Sequence, residues 1–222
     1  MGQTTDINAA DGFRLSAYRA APEGVPRGGL VIVQEIFGVN SHIRNVCDGY
    51  ASEGYVAIAP ALFDRVQRGI ELSYRDDDIA RGRDLKAGSD TQAALRDVAA
   101  AIDVVRPAGK VGIVGYCWGG YIAWMAAARL EGLACAVPYY GGGMLEAMNE
   151  EPKCPVMAHF GRKDAHIPVA GVEKLQAAHP AAQVFLYDAG HGFNCDERGS
   201  FDADAARLAR ERSIAFLHQH VV

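Results

Sequence analysis

Along most of the chain, short apolar runs rich in β-branched residues alternate with segments of helical character. Residues 4–19 predict a β-hairpin, with Asp11-Gly12 as the turn signal. Leu30 to Gln34 predicts a strand, and Ser41 to Glu53 a helix with Asn40 or Ser41 as N-cap and Gly54 as its stop. Tyr55 to Ala59 predicts a strand ended by Pro60, and Thr91 to Val105 an amphipathic helix stopped by Pro107. Further on, strands are expected at Val111 to Gly115, Ala134 to Tyr139, Val156 to Phe160 and Gln183 to Tyr187. Helices are expected at Trp118 to Leu130, Val169 to Ala178 and Asp202 to His218. Residues 64–90 are the most polar part, with Arg75-Asp76-Asp77-Asp78 and Arg81-Gly82-Arg83, and read as a surface helix or a loop.

Most of these strands are continuous apolar runs without period-two polarity. That pattern belongs to a mostly parallel sheet covered on both faces. The expected class is α/β with three layers and one domain over residues 1–222. Half of the 222 residues are hydrophobic and 22% are charged, enough to bury a sizeable core. The net charge of −5 argues against nucleic acid as the main partner.

The longest strictly apolar run, Tyr121 to Ala128, falls far short of the ~20 residues that cross a bilayer, so no membrane partner is expected. The first residues show no basic region followed by an apolar one, so no secretory signal is expected. The five cysteines, Cys47, Cys117, Cys135, Cys154 and Cys195, are odd in number and contain no C-x-x-C pair. That fits a reducing, cytoplasmic setting better than a disulfide framework.

The strongest chemical signal is Gly115-Tyr116-Cys117-Trp118-Gly119, a G-x-C-x-G between a buried strand and a helix. This is the nucleophile-elbow pattern with Cys in place of Ser. Flanking glycines let strand and helix backbones approach, and the side chain projects at a helix N-terminus that favours a thiolate. An isolated Cys would read as a buried structural residue; the strand–turn–helix context favours the nucleophile.

A base and an orienting carboxylate are then required. Asp164 follows the strand at Val156 to Phe160, and His191 follows the strand at Gln183 to Tyr187. The order nucleophile–Asp–His at successive strand ends is the α/β-hydrolase order. The backbone N–H of Trp118 is one expected oxyanion donor, and that of Ile36, in Gln34-Glu35-Ile36-Phe37-Gly38, the other.

Gln34-Glu35-Ile36-Phe37-Gly38, the Cys117 elbow, Asp164 and Gly190-His191-Gly192-Phe193 together resemble the dienelactone hydrolase (carboxymethylenebutenolidase) family. The resemblance covers the chain from about residue 10 onward. It implies the α/β-hydrolase fold without a large cap domain, and a cytoplasmic enzyme that opens a small unsaturated lactone during aromatic-compound breakdown. It implies no metal and no cofactor, and a monomer or small homo-oligomer. It also implies that Glu35 contacts the resting thiol and helps to form the thiolate when substrate binds. Phe37, Tyr116 and Phe193 are the expected substrate contacts, with Arg75 as a weakly matched carboxylate-binding residue.

Two departures bear on the substrate. Better-known members carry Ser directly after the catalytic His and Arg four positions after it; here Gly192 and Cys195 stand there. Arg198 could take over the role of the arginine or be a solvated charge. The alternative readings are a broader carboxylesterase or thioesterase, a thiol redox protein around Cys117, and a non-catalytic binding module. Tyr116, Trp118, Tyr121 and Trp124 could line a pocket, with at least half expected in the core. His159, Asp164 and His166 lack a metal-binding spacing, and no nucleotide-binding glycine pattern occurs.

Overall fold

A computed structural model describes residues 2–222 of the chain. The expected hairpin is formed by β1 (Gln3–Asn8) and β2 (Arg14–Ala20), paired antiparallel. The apolar runs become β3 (Gly29–Val33), β4 (Val56–Pro60), β5 (Val111–Tyr116), β6 (Leu133–Tyr139), β7 (Met157–Gly161) and β8 (Gln183–Tyr187). Among the described residues they make one eight-stranded sheet, ordered β1-β2-β4-β3-β5-β6-β7-β8. β2 meets β4 antiparallel, and from β4 to β8 every pairing is parallel. β3, β4, β5 and β7 are buried at every position, which is why their sequences show no polar alternation.

The helices are α1 (Ser41–Ser52), α2 (Asp76–Ala87), α3 (Thr91–Val105), α4 (Trp118–Arg129), α5 (Val169–Ala178) and α6 (Ala203–Val221). α1 and α6 cover one face of the sheet, and α3 and α4 the other. Asn40 is the N-cap of α1, its side chain accepting the Ile43 N–H at 3.3 Å. Asp90 and Asp202 cap α3 and α6 in the same way. α6 runs past the expected His218 because Leu217 and Val221 are buried against Gly112 of β5.

The polar stretch at 64–90 resolves into a short 3-10 turn, Leu62–Arg65, followed by α2. Only Gly82 and Leu85 of α2 are buried, so the helix leaves almost no apolar stripe to read. Three aspartates in its first turn and Lys86 in its last suit the helix dipole. Arg65 anchors the preceding turn: it grips the buried Asp97 of α3 through two 2.8 Å hydrogen bonds and stacks over Phe13.

Glycines set how closely β5, α4 and β3 meet. A Cβ on Gly115 would lie 1.9 Å from the Gly119 carbonyl oxygen, and one on Gly119 would lie 2.3 Å from that of Val33. Gly119→Ala is therefore expected to destabilise the fold by about 1–3 kcal/mol through overpacking. Urea unfolding measures this; a loss below about 0.5 kcal/mol, the scatter of ordinary surface substitutions, would mean that the three backbones can part without cost.

Candidate active site

Cys117 ends β5 and opens α4 in an unusual backbone conformation, φ 55° and ψ −114°. Such a geometry is costly for a residue with a side chain, about 1–3 kcal/mol, and survives only where its surroundings enforce it. The Cys117 N–H donates to the Tyr139 carbonyl at 3.0 Å, and the Cys117 carbonyl accepts from Gly120 at 3.0 Å. The thiol is thereby held, partly buried, above the C-terminal edge of the sheet, where ligands of open α/β sheets bind.

The ends of β7 and β8 deliver the two partners. His191 Nε2 lies 3.1 Å from Cys117 Sγ, and His191 Nδ1 lies 2.7 Å from Asp164 Oδ2. The second Asp164 oxygen accepts the His166 backbone N–H at 2.8 Å, which fixes the carboxylate plane. The two loops meet closely because Gly161 lacks a Cβ that would sit 2.3 Å from the Ala189 carbonyl oxygen. Burial alone would lower the His191 pKa, but the Asp164 hydrogen bond and the Cys117 contact overcome it and raise it to about 10. Burial acts to raise the Asp164 pKa, and the hydrogen bond and charge of His191 bring it below the ordinary carboxylate value.

Ile36 and Trp118 line the same cavity as Cys117 and His191. Trp118 is the first residue of α4, so its N–H has no acceptor within the helix. The loop bearing Ile36 is fixed from several sides. Gln34 Oε1 accepts the Leu62 N–H at 3.1 Å, and the Phe37 carbonyl accepts from Leu72 at 2.8 Å. Gly38 adopts φ +78° against Ile70, and Gly82 of α2 lies so near the Ile36 carbonyl that a Cβ would stand 2.2 Å from its oxygen.

Glu35 is fully buried beneath this loop. Its Oε1 meets Arg198 Nη1 at 3.3 Å, while Oε2 has no hydrogen-bond partner. Arg198 reaches the cavity and lies over the rings of Phe37 and Tyr74. Nearby, burial and then the Glu35 charge push the Cys195 thiol up to about 12. Two further bonds run parallel to the Arg198–Glu35 pair: Asp196 Oδ1 to His42 Nδ1 at 2.9 Å, and the Ser41 hydroxyl donating to Glu197 at 2.7 Å. Three consecutive residues, 196–198, thus clasp the segment that runs from the Ile36 loop into α1.

His42, Cys195 and Asp196 form a group with one possible metal-ligand atom each, all within 4.8 Å. The His42–Asp196 hydrogen bond already accounts for two of them, and a thiol raised to about 12 is a poor source of the thiolate that a metal needs. His159 lies apart from Asp164 and His166, buried in the core between Tyr187 at 2.8 Å and Ser213 at 3.0 Å, where burial lowers its pKa to about 3.

The cavity has a volume of about 550 Å³. Phe37 lines it as expected, whereas Tyr116 and Phe193 do not. Tyr116 precedes Cys117 on β5 and so projects to the opposite side, packing against Tyr139 with ring centres 4.8 Å apart. Phe193 is fully buried against Tyr187 and Tyr140. Trp124 is likewise core, and Tyr121 lines the cavity. Arg75 is exposed just before α2 and is not among the lining residues. The sequence reading missed Ile79, Arg83 and Lys86 of α2, and also Glu146 and His166, all of which line the cavity. The spacing of the first three, i, i+4 and i+7, was the available signal.

The profile of the dienelactone hydrolase family matches residues 15–221. A Pseudomonas putida protein named carboxymethylenebutenolidase is 35% identical, over 95% of this chain and 94% of its own length. A Synechocystis protein provisionally described by the same name is 38% identical, over 90% of this chain and 89% of its own. The crystal structure of a Klebsiella pneumoniae protein provisionally described as a dienelactone hydrolase superposes with a TM-score of 0.86, at 29% identity and 99% coverage of both chains.

A raised His191 pKa makes a testable link to stability. Its contribution is full below the unfolded-state value of about 6.5 and is lost as pH rises through about 10. The stability gap between wild type and Asp164→Asn is therefore expected to narrow from pH 7 to pH 11. Denaturant unfolding at several pH values measures the gap, and one that stays constant would mean that Asp164 does not raise the pKa of His191.

Proposed function

Since the chain belongs to the dienelactone hydrolase family, we propose that its Cys117 is the nucleophile that opens a small unsaturated lactone of the dienelactone type. The protein is a hydrolase of the dienelactone hydrolase type. The observation that carries the finer reading is the 3.1 Å contact of His191 Nε2 with the Cys117 sulfur, backed by the 2.7 Å contact to Asp164.

In the proposed mechanism the Cys117 thiolate attacks the lactone carbonyl, and the Ile36 and Trp118 N–H groups hold the oxyanion. Collapse breaks the ring C–O bond, and the imidazolium of His191 protonates the departing oxygen. The product stays bound as a thioester. His191, now neutral, takes a proton from water, whose oxygen attacks the thioester carbonyl. Collapse of that intermediate expels the sulfur, restores the thiolate and imidazolium, and releases the acid, which gives its proton to solvent and leaves as the carboxylate. The thiol proton passes to His191 Nε2, which makes the thiolate–imidazolium pair. Glu35 does not form the expected contact with the resting thiol, being bonded to Arg198 with its Oε2 unpartnered, and its role is electrostatic. Arg198, not Arg75, holds the substrate carboxylate, because its guanidinium reaches the cavity.

Free cysteines at all five positions support a reducing, cytoplasmic setting, as a role in aromatic-compound breakdown would require. No helix among the described residues is long and apolar enough to cross a membrane. A second reading, a broader carboxylesterase or thioesterase, is favoured by Cys195 standing where better-known members carry arginine.

Steady-state hydrolysis of cis- and trans-dienelactone beside p-nitrophenyl acetate tests both readings. Lactone turnover falling about 10³-fold or more in Cys117→Ala is the expected result. Weak lactone turnover with Cys117-dependent ester cleavage would select the broader esterase. Unchanged rates in Cys117→Ala would remove Cys117 as nucleophile.

The clasp generates a separate expectation. His42→Ala and Asp196→Ala should each lower kcat about tenfold with little change in KM, because a small misplacement of the base costs rate rather than binding. Equal loss in kcat and in the folded fraction would reduce the clasp to a purely structural contact.

A further inference from the structure

We infer that His159 is a positioning residue: its buried side chain, with those of Tyr139, Tyr187 and Ser213, ties the part of the sheet that ends at Cys117 to the part that ends at Asp164 and His191. The inference rests on the proposed roles of those three groups, and it deepens them by naming what sets their separation.

The first observation is the seam that His159 crosses. β5 pairs with β6 from Val111↔Leu133 to Tyr116↔Tyr139, and β7 with β8 from Met157↔Gln183 to Gly161↔Tyr187. Between these ladders, and among the described residues, β6 meets β7 only at Tyr139↔His159 and at the bridge Ala136↔Val156. Cys117 lies on one side of this thin seam, and Asp164 and His191 lie on the other. A slip of β6 against β7 would change the distance from sulfur to imidazole directly.

The second observation is a chain of side-chain hydrogen bonds across the seam. The Tyr139 and Ser213 hydroxyls lie 2.7 Å apart, His159 Nε2 lies 3.0 Å from Ser213 Oγ, and His159 Nδ1 lies 2.8 Å from the Tyr187 hydroxyl. Arg212 donates to the Tyr187 oxygen at 3.1 Å, and the Ser213 hydroxyl donates to the Ala209 carbonyl at 2.8 Å. Those two directions leave one order of donors that satisfies every group: Tyr187 O–H to Nδ1, Nε2–H to Ser213, and Tyr139 O–H to Ser213. Burial, and then the charge of Arg212, lowers the His159 pKa to about 3, so the ring keeps the single proton that this order needs. An apolar trio could fill the same space, but a fully satisfied polar chain also fixes direction.

The third is what the main chains of the same residues hold. The Tyr139 carbonyl accepts the Cys117 N–H at 3.0 Å, and the Tyr187 carbonyl accepts the Arg162 N–H at 2.7 Å, just before Asp164. The His159 carbonyl accepts the Tyr140 N–H at 2.7 Å, and the Tyr140 ring packs against that of His191. The side chains that meet at His159 therefore belong to the residues whose backbones anchor the nucleophile and the loop of its carboxylate.

Alkylation of Cys117 by iodoacetamide at pH 7, with Cys117→Ala as the blank, reports the thiolate–imidazolium pair without a substrate. Hydrolysis of p-nitrophenyl acetate adds kcat and KM. Ser213→Ala and His159→Leu are each expected to slow alkylation and kcat about tenfold, with KM within about twofold of wild type. His159→Gln, whose amide can still accept from Tyr187 and donate to Ser213, should bring both rates back to within about threefold of wild type. Leu15→Ala, fully buried on β2 and away from the seam, is the control for lost stability and should keep both wild-type rates while folded. A wild-type alkylation rate in Ser213→Ala, no recovery in His159→Gln, or an equal loss in Leu15→Ala would each overturn the inference and leave the proposed function standing. A wild-type Cys117 no more reactive than free cysteine would overturn the charged pair, and the inference with it.

Discussion

The site depends on a backbone constraint at one residue. Cys117 is held at φ 55°, and two glycine contacts make that possible: Gly115 against the Gly119 carbonyl, and Gly119 against the Val33 carbonyl. These approaches bring the start of α4 onto the ends of β3 and β5. In one stroke they lift the thiol to the sheet edge and place it beside the loop that follows β3. A side chain at either glycine would part the three elements and with them Cys117 and the loop that carries Ile36.

Around that fixed point the other groups are set by strand ends and then locked by polar contacts. Asp164 and His191 follow adjacent parallel strands, so the sheet spacing sets their separation before any side chain is placed. The fine adjustment comes from the His166 amide on Asp164 and from the three bonds that clasp residues 196–198 to residues 35–42. The loop after β3 and the segment after His191 are therefore joined directly, outside the sheet.

Much of this was legible in the residues. Strand–helix alternation, the G-x-C-x-G turn and the order of Cys117, Asp164 and His191 have strong local signals. Hydrophobic runs mark buried strands, and glycines mark close approaches. What escaped had weak or ambiguous signals. α2 is polar nearly all round, with two buried positions, so its cavity face looked like any solvated helix. Tyr116 and Phe193 sit within catalytic motifs yet turn into the core, because proximity in sequence does not decide on which side of a strand or loop a ring falls. Arg198 could be placed only in three dimensions: its partner Glu35 is far away along the chain, and no periodicity links them.

The clasp has a consequence for synthesis. Cys117 and the loop that carries Ile36 lie in the earlier part of the chain to be made, whereas His191, the tether of residues 196–198 to residues 35–42, and the α6 positions Leu217 and Val221 that pack on β5 arrive last. Chains emerge from their N-terminal end, and partly folded ones expose reactive surfaces. Here a chain made only as far as α4 carries Cys117 without its neighbours Asp164 and His191. The cluster of Cys117, His191 and Asp164 can therefore assemble only as the polypeptide nears completion.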